Sequence, residues 1–413
     1  MTIMTAADLK LSLRPQPLGV FTGPQGALLL PPLTDVDVQA RALAQVMRGH
    51  TDGLPEAWQF YALAIHDEQA AYVALQGDDG LEARFNRFVV NPSMDDYTNL
   101  QAQVGGEVLE LLEAVAFQLG YRDTPPESQA AEAEVKAYLL ATQAHHLLAT
   151  GDRQAGMNRL EQAADLAQGS SPTFAARLYG EWASLESMAG PLSHKGLGYF
   201  ETALTLFEDT AFRDARAELW LHFGTACQDR AEGSKGWLLK AVNAYQEALK
   251  VFTKTHLPHS YGLAQMNLAL CYLNMPMNDE ADKLRPAIAV QALRGALEVF
   301  TQGDQPEMWA SATLNLANAL QHAKTSHPED NLWEAVALYE DVLTVRNQAD
   351  DPLGYARVLA NQGNALAHLG AFSRAVPRLQ QAQDLFAGAR DDAAVAALET
   401  ILEDIQTRQQ AGG

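Results

Sequence analysis

The sequence predicts an all-α protein in which about six helix pairs stack one after another, and three observations predict it. Small residues recur in the second helix of each pair, at spacings of 40, 45, 48, 46 and 40 residues. A larger apolar residue lies three positions before each of them. Small residues also recur at one position in the first helix of every pair, and we call each such set of equivalent positions a column. Because a helix pair of this kind buries its apolar face only against its neighbours, the periodicity is typical of a solenoid.

Residues 1–34 precede the helices and have a different composition, with prolines and glycines between short apolar runs. The segments PLGVF and ALLLPP flank TGPQG, a pattern that predicts a hairpin of two short strands. An extended arm lying on the helical body fits the same residues. Both interpretations stay open.

Residues 35–125 form a second region, for which apolar spacing and breaker residues predict three or four helices. The pattern places them from Asp35 or Asp37 to about Arg48, over 55–76, over the short stretch LEARFNRFVV, and from Ser93 or Asp95 to about Gly120. The prolines at 125 and 126 mark the junction with the repeats.

The repeats occupy residues 130–390, and residues 391–413 are predicted to form a capping helix and a tail. The second-helix small column and the larger residues before it can be read directly from the sequence: Ala163, Ala203, Ala248, Ala296, Val342 and Ala382, preceded by Leu160, Phe200, Tyr245, Leu293, Tyr339 and Leu379. The first-helix column is Ala144, Ser184, Gly224, Ala269, Ala317 and Gly363. The offset from a second helix to the next first helix is 21 residues five times, whereas the offset inside a pair varies from 19 to 27. We therefore expect fixed packing between pairs and insertions in the turns within them.

These residues resemble the tetratricopeptide repeat over about two thirds of the chain. The Gly151-Asp152 turn followed by Leu160 and Ala163 is close to the family pattern, as is Gly370 followed by Ala375, Leu379 and Ala382. Repeats longer than 40 residues that open with NLA or NLAN are similar to those of kinesin light chains and of arrays attached to bacterial caspase-like proteases. The resemblance implies a right-handed α-α superhelix whose first helices line a concave groove for peptides or protein tails.

Groove positions in this family flank the small column of the first helix. Here Asn267, Asn315 and Asn361 lie two residues before the small residue, and Asn318 and Asn364 lie one residue after it. An asparagine offers a donor and an acceptor, so a row of them is suited to the backbone of an extended peptide. The alternative is that each asparagine braces a neighbouring helix.

Two further residues belong to the predicted groove. His222 occupies the same register in the third pair, and Trp182 of the second pair and Thr225 of the third pair also stand in place of asparagine at groove positions. Arg357 lies one turn before Asn361 and is placed to meet a carboxylate, although it also fits an ordinary surface arginine.

Composition limits the possible functions. Asp and Glu total 51 against 29 Lys and Arg, which gives a net charge of -22 and disfavours nucleic-acid binding. The two cysteines, Cys227 and Cys271, are too few for a disulfide framework or a zinc site. No apolar run is long enough to span a membrane, and no signal-peptide pattern is seen, so a cytoplasmic location is expected.

No catalytic motif, metal site or cofactor site is predicted. His145 and His146 are adjacent on one helix and point about 100° apart, so they do not share a metal easily. The pair His256 and His259 lacks further ligands, and His66 has no second histidine at the zincin spacing.

The sequence therefore predicts a non-enzymatic scaffold or adaptor that binds a protein or peptide partner in the groove. An accessory subunit that docks on an enzyme through residues 1–125 is the first alternative. A peptide-signal receptor is the second, and an enzyme with its site in residues 35–120 is the third. The oligomeric state is left open.

Overall fold

The structure is a computed structural model that describes residues 29–30, 32, 36–276, 281–323 and 327–411. Every regular element within these ranges is helical, as the sequence predicts. The hairpin or arm expected at residues 1–34 falls almost entirely outside them. The contacts divide the chain into two compact units, 1–219 and 220–413.

Six helices cover the region before the repeats, more than the three or four expected. They are α1 (Val36–Val46), α2 (Gln59–His66), α3 (Glu68–Ala74), α4 (Leu81–Val90), α5 (Met94–Gln101) and α6 (Gly106–Gln118). Two predicted helices are each divided. Asp67 breaks the first with extended backbone and caps α3 by accepting a hydrogen bond from the Ala70 amide. The second is interrupted before α6, where Gly106 adopts a φ of +57°.

Six helix pairs follow, in the order that the repeat columns predict. They are α7 (Ala133–Ala149) with α8 (Arg153–Ala167), α9 (Pro172–Ala189) with α10 (His194–Leu206), α11 (Arg213–Asp229) with α12 (Lys235–Ala248), α13 (Pro258–Asn274) with α14 (Arg285–Leu297), α15 (Pro306–His322) with α16 (Pro328–Val345), and α17 (Pro352–His368) with α18 (Phe372–Gly388). A final helix, α19 (Asp392–Ala411), packs on α18, as expected for a capping helix.

The columns are the core of the repeats. All twelve residues of the two second-helix columns, from Leu160 to Ala382, have no exposed surface. In the first-helix column, Gly363 lies so close to α18 that an added Cβ would stand 2.7 Å from Cγ of Leu379. Gly224 faces Tyr245 at a similar distance. Close approach of the two helices in a pair therefore depends on small residues at these positions.

Local signals explain where the helices begin. Proline occupies the first turn of α9, α13, α15, α16 and α17, where its missing N–H leaves no helical bond unmade. Asp152 caps α8 and Asp351 caps α17 through their carboxylates. Gly151 and Gly370 adopt positive φ at the tight turns inside the first and last pairs.

The two rows of helices in the unit formed by residues 220–413 are not equally close. The first helices contact one another, α13 with α15 and α15 with α17. The second helices stay farther apart and are bridged by long side chains, with Arg294 on Glu334 at 3.0 Å and Arg378 on Glu340 at 2.9 Å. The first helices therefore form the closer row, and we call the face that they form the inner side of this unit.

In the unit formed by residues 1–219, residues 29–30 pack on the helices. Leu29 and Leu30 are buried, and the side chain of Asn86 on α4 is 1 % exposed. Its Oδ1 accepts from the Leu30 amide at 2.7 Å, and its Nδ2 donates to the Leu30 carbonyl at 2.8 Å. One asparagine thus satisfies both backbone groups of one residue outside regular structure.

Candidate functional site

The predicted asparagines of α15 and α17 lie on matching stripes of their helices. Asn315 and Asn318 are half-buried on α15, and Asn361 and Asn364 are half-buried on α17. We call these four residues the amide face. Each stripe continues for one turn to an exposed histidine, His322 or His368, which the sequence analysis did not include. The signal for the histidines was present, because both stand five residues after the small residue of their helix.

A buried tyrosine orients the centre of the amide face. The Tyr339 hydroxyl on α16 donates to Oδ1 of Asn318 at 2.6 Å, and Nε2 of Gln321 donates to the hydroxyl. Nδ2 of Asn361 donates to the same Asn318 oxygen at 2.9 Å. The tyrosine has one hydrogen to give, so its donation fixes which end of the Asn318 amide points inward.

This arrangement leaves particular hydrogen-bonding groups available. Both lone pairs of Asn318 Oδ1 are used, and its Nδ2 donors have no partner among the described residues. Asn361 uses one hydrogen of Nδ2 and keeps Oδ1 as an acceptor. A donor and an acceptor therefore stand side by side, supplied by neighbouring first helices.

The outer members of the amide face make fewer contacts. In the described part of the chain, the side chains of Asn315 and Asn364 form no hydrogen bond with the protein. Arg357, one turn before Asn361, is exposed and forms no ion pair with the residues that the structure describes. These three polar groups are open to a ligand without first breaking an internal bond.

Asn267 stands in a related but separate environment. It is a hydrogen-bonding neighbour of the Tyr245 hydroxyl, which donates to Oε1 of Gln228 at 2.8 Å and lies 3.3 Å from the Thr225 hydroxyl. Burial raises the pKa of Tyr245 well above its usual range. Asn267 on α13 therefore lies beside the buried tyrosine of α12.

Polar residues occupy particular positions of a first helix when the second helix of the same pair carries a buried tyrosine. The two pairs with tyrosine in the second helix place Thr225 or Asn318 one residue after the small residue, and Gln228 or Gln321 three residues later. The fourth pair has leucine at all three positions: Leu270, Leu273 and Leu293. A buried hydroxyl needs partners, so part of the predicted asparagine row is explained by internal hydrogen bonding.

The other predicted groove positions lie on the earlier first helices α9 and α11. Trp182 is 7 % exposed and packs edge-on to Tyr199, with Nζ of Lys195 5.1 Å from its ring. His222 is exposed on α11, where partial desolvation lowers the pKa of its ring. Thr225 is likewise exposed and lies beside Tyr245.

Charge is distributed unevenly between the two rows. The first helices α13, α15 and α17 contain only two residues with a formal charge, Glu307 and Arg357. The single second helix α16 contains five: Glu329, Asp330, Glu334, Glu340 and Asp341. The three first helices therefore carry mainly amide and apolar groups although the chain has a net charge of -22, and Arg346 from the end of α16 reaches Ser311 on α15 at 3.3 Å.

No group of three or more His, Cys, Asp or Glu residues in the described ranges is placed to hold a metal ion. His145 pairs with Glu181 at 2.8 Å, and Nδ1 of His259 lies 2.8 Å from Oε1 of Gln305. Burial raises the pKa of Cys271 to about 12, so its thiol stays protonated at neutral pH.

None of the helices in the described ranges is long and apolar enough to cross a membrane. No family profile and no curated protein sequence matches the chain. Among solved structures, it is similar to the crystal structure of yeast Tom70, at 12% identity and a TM-score of 0.37, over 92% of this chain and 67% of that one. The resemblance to kinesin light chains stays a prediction from the sequence.

Proposed function

We propose that this protein is a non-enzymatic adaptor whose amide face binds an extended segment of a partner protein through the backbone of that segment. The supporting observation is the orientation of Asn318 and Asn361, which leaves a donor and an acceptor next to each other on the inner side of the helix stack. An extended residue carries a carbonyl and an N–H that match this pair.

The same chemistry already operates elsewhere in the chain. Asn86 pairs with both backbone groups of Leu30, at 2.7 and 2.8 Å. A carboxamide of this protein therefore holds both backbone groups of a residue outside regular structure. On the amide face, two neighbouring asparagines share the task that Asn86 performs alone.

Asn315 and Asn364 complete the proposed site. They flank the central pair on the same stripes and retain all of their hydrogen-bonding groups. A segment laid across α15 and α17 would reach them one or two residues from the centre. A cytoplasmic location and a protein partner belong to this proposal, and no cofactor is required.

The test uses peptides, because the partner is not identified. A phage library of random 12-residue peptides is selected on the full chain, and the affinity of each selected peptide is measured by fluorescence anisotropy. Asn315→Ala combined with Asn364→Ala removes hydrogen bonds worth about 0.5–1.5 kcal/mol each, so we expect binding to weaken by about tenfold.

The matched control is Asn243→Ala, which removes an exposed amide from the second helix α12. It should leave affinity unchanged, and circular dichroism should show the same helicity for all variants. Equal affinity of the double variant and the unmodified chain would contradict the proposal, as would a library that yields no peptide sensitive to the double substitution.

A further inference from the structure

We propose that the groove between the second helices α16 and α18 is a further binding surface, which takes an aromatic side chain of a partner protein. We call it the outer groove, and it encloses about 470 Å³. It is lined by Trp333, Val336, Ala337, Glu340, Asp341, Arg374 and Arg378. None of these residues belongs to the amide face, so the inference does not depend on the proposed function.

The outer groove presents an exposed tryptophan in contact with a cation. The side chain of Trp333 is 44 % exposed, and Cζ of Arg374 lies 5.6 Å from the centre of its ring. In the described part of the chain, the guanidinium of Arg374 forms no hydrogen bond and no ion pair, and it contacts no second ring. A guanidinium is attracted to aromatic rings, so this cation can accept another ring on its open side.

The chain itself shows a cation that contacts two rings. In the unit formed by residues 1–219, Nζ of Lys195 lies 5.1 Å from the ring centre of Trp182 and 5.6 Å from that of Tyr199. Glu161 also binds this ammonium at 2.7 Å. Arg374 has one ring and no carboxylate of its own. A partner that supplies a ring would complete the arrangement that Lys195 already has.

Contacts within the chain fix the base of the outer groove. Val336 is 4 % exposed and belongs to the core of this unit. Nη2 of Arg378 donates to both carboxylate oxygens of Glu340, at 3.1 and 2.9 Å. The buried Gln362 donates to the same carboxylate at 2.8 Å through Nε2. Glu340 and Arg378 are therefore committed to each other, and Arg374 is the cation left for a ligand.

The remaining charges favour a neutral ring over a charged side chain. Asp341 lines the groove, and Glu329 and Asp330 lie one turn before Trp333 on α16. In the described ranges none of the three carboxylates forms an ion pair. They would repel an acidic side chain, and Arg374 would repel a basic one. An aromatic ring needs no counter-charge, and tryptophan with arginine is the combination most often found at the centre of protein interfaces.

The experiment selects random 12-residue peptides on the full chain carrying Asn315→Ala and Asn364→Ala, which weakens the amide face. Counter-selection on the same chain with Trp333→Ala and Arg374→Gln removes peptides that bind elsewhere. We expect the enriched peptides to share an aromatic residue. That residue is replaced by phenylalanine and by cyclohexylalanine, which has a similar apolar size but no aromatic ring, and affinity is measured by fluorescence anisotropy.

The phenylalanine peptide should bind about fivefold more tightly than the cyclohexylalanine peptide, and Arg374→Gln should abolish this difference. The matched control is Arg159→Gln, which removes an exposed arginine from α8 and should leave the difference unchanged. Circular dichroism should show equal helicity for all variants.

Equal affinity of the two peptides would overturn the inference, as would a selection that enriches no peptide. Enriched peptides that depend on an acidic or a basic residue instead of a ring would show that the groove takes a charged group, which also contradicts it. Self-association that Trp333→Ala abolishes, measured by sedimentation, would assign the groove to a second copy of the chain. Each of these results leaves the amide face as proposed.

Discussion

The hydroxyl of Tyr339 donates a hydrogen bond to Oδ1 of Asn318 at 2.6 Å, so a residue with no exposed surface sets the orientation of an amide on the inner side of the helix stack. This contact links the core of the fifth pair to the proposed site. Asn318 is turned with its donors outward because the tyrosine occupies its acceptor.

Removing that hydroxyl should affect stability first. Tyr339→Phe leaves Gln321 and Asn318 without a buried partner, and we expect a loss of about 1–3 kcal/mol in the free energy of unfolding, measured by urea titration with circular dichroism. The informative control replaces all three polar groups, Tyr339→Leu with Asn318→Leu and Gln321→Leu, as in the fourth pair. The triple variant should lose less than the sum of the three single variants, and strict additivity would contradict the proposed network.

Close packing at Gly363 gives a second prediction. Gly363→Ala puts a methyl group 2.7 Å from Cγ of Leu379, and the strain of about 1–3 kcal/mol should outweigh a helix-propensity gain of about 1 kcal/mol. Gly198→Ala is the matched control, since a Cβ there meets nothing within 4 Å inside α10. The first substitution should lower the melting temperature and the second should raise it. A rise in both would show that α17 and α18 are farther apart than described.

The contact between Asn86 and Leu30 gives a third prediction. Asn86→Ala frees both backbone groups of Leu30, and hydrogen exchange at the Leu30 amide should become about tenfold faster or more. Asn86→Asp retains an acceptor for the amide but places a carboxylate against the Leu30 carbonyl. We therefore expect it to accelerate exchange as well. Protection equal to that of the unmodified chain in both variants would mean that Asn86 does not hold this segment.

Alkaline pH should destabilise the protein through the buried thiol of Cys271 and through buried tyrosines. Burial raises the pKa of Cys271 from its ordinary value of 9.0 to about 12. Above pH 9 the unfolded chain releases this proton while the folded chain keeps it, so the unfolded state binds fewer protons and stability falls as pH rises. The stabilisation is complete below pH 9 and is lost progressively towards pH 12, by at most about 1.4 kcal/mol per pH unit for one thiol.

Urea midpoints at pH 7, 8.5 and 10 measure this effect. Cys271→Ala should show a smaller fall between pH 8.5 and 10 than the unmodified chain. Buried Tyr245 and Tyr339, whose pKa values are also raised by burial, should maintain a further decline at higher pH in both proteins. An identical pH profile for the two proteins would contradict the burial assigned to Cys271.

Much of the fold was predictable because the repeat columns record packing directly. Positions such as Ala163 and Leu379 must be small or apolar whatever the partner, so their spacing identifies all six pairs. The region before the repeats contains no repeated pattern from which helix positions can be checked against one another. A single capping residue, Asp67, divides one predicted helix there. The spacing of apolar residues does not reveal a helix break of one residue.

The site was only partly predictable for a different reason. Sequence spacing places Asn318 and Asn361 near one another, but it does not distinguish an amide that faces a ligand from one that faces a tyrosine. The hydroxyl of Tyr339 decides this, and it lies on another helix. Tyr339 occurs together with Gln321, and Tyr245 occurs together with Gln228. This co-occurrence in the sequence indicates the internal hydrogen bonds, but it is visible only when the two helices of a pair are compared.

The central claim is that the amide face holds a partner by its backbone. An ester scan of a selected peptide tests this most directly, because replacing one amide link with an ester removes one N–H and leaves every side chain in place. We predict a loss of about tenfold in affinity at one or two central positions, and no such loss at those positions when the chain carries Asn361→Ala, which removes the acceptor that Oδ1 of Asn361 offers to the peptide N–H. Uniform affinity across the ester scan, with large losses only when peptide side chains are truncated, would contradict it.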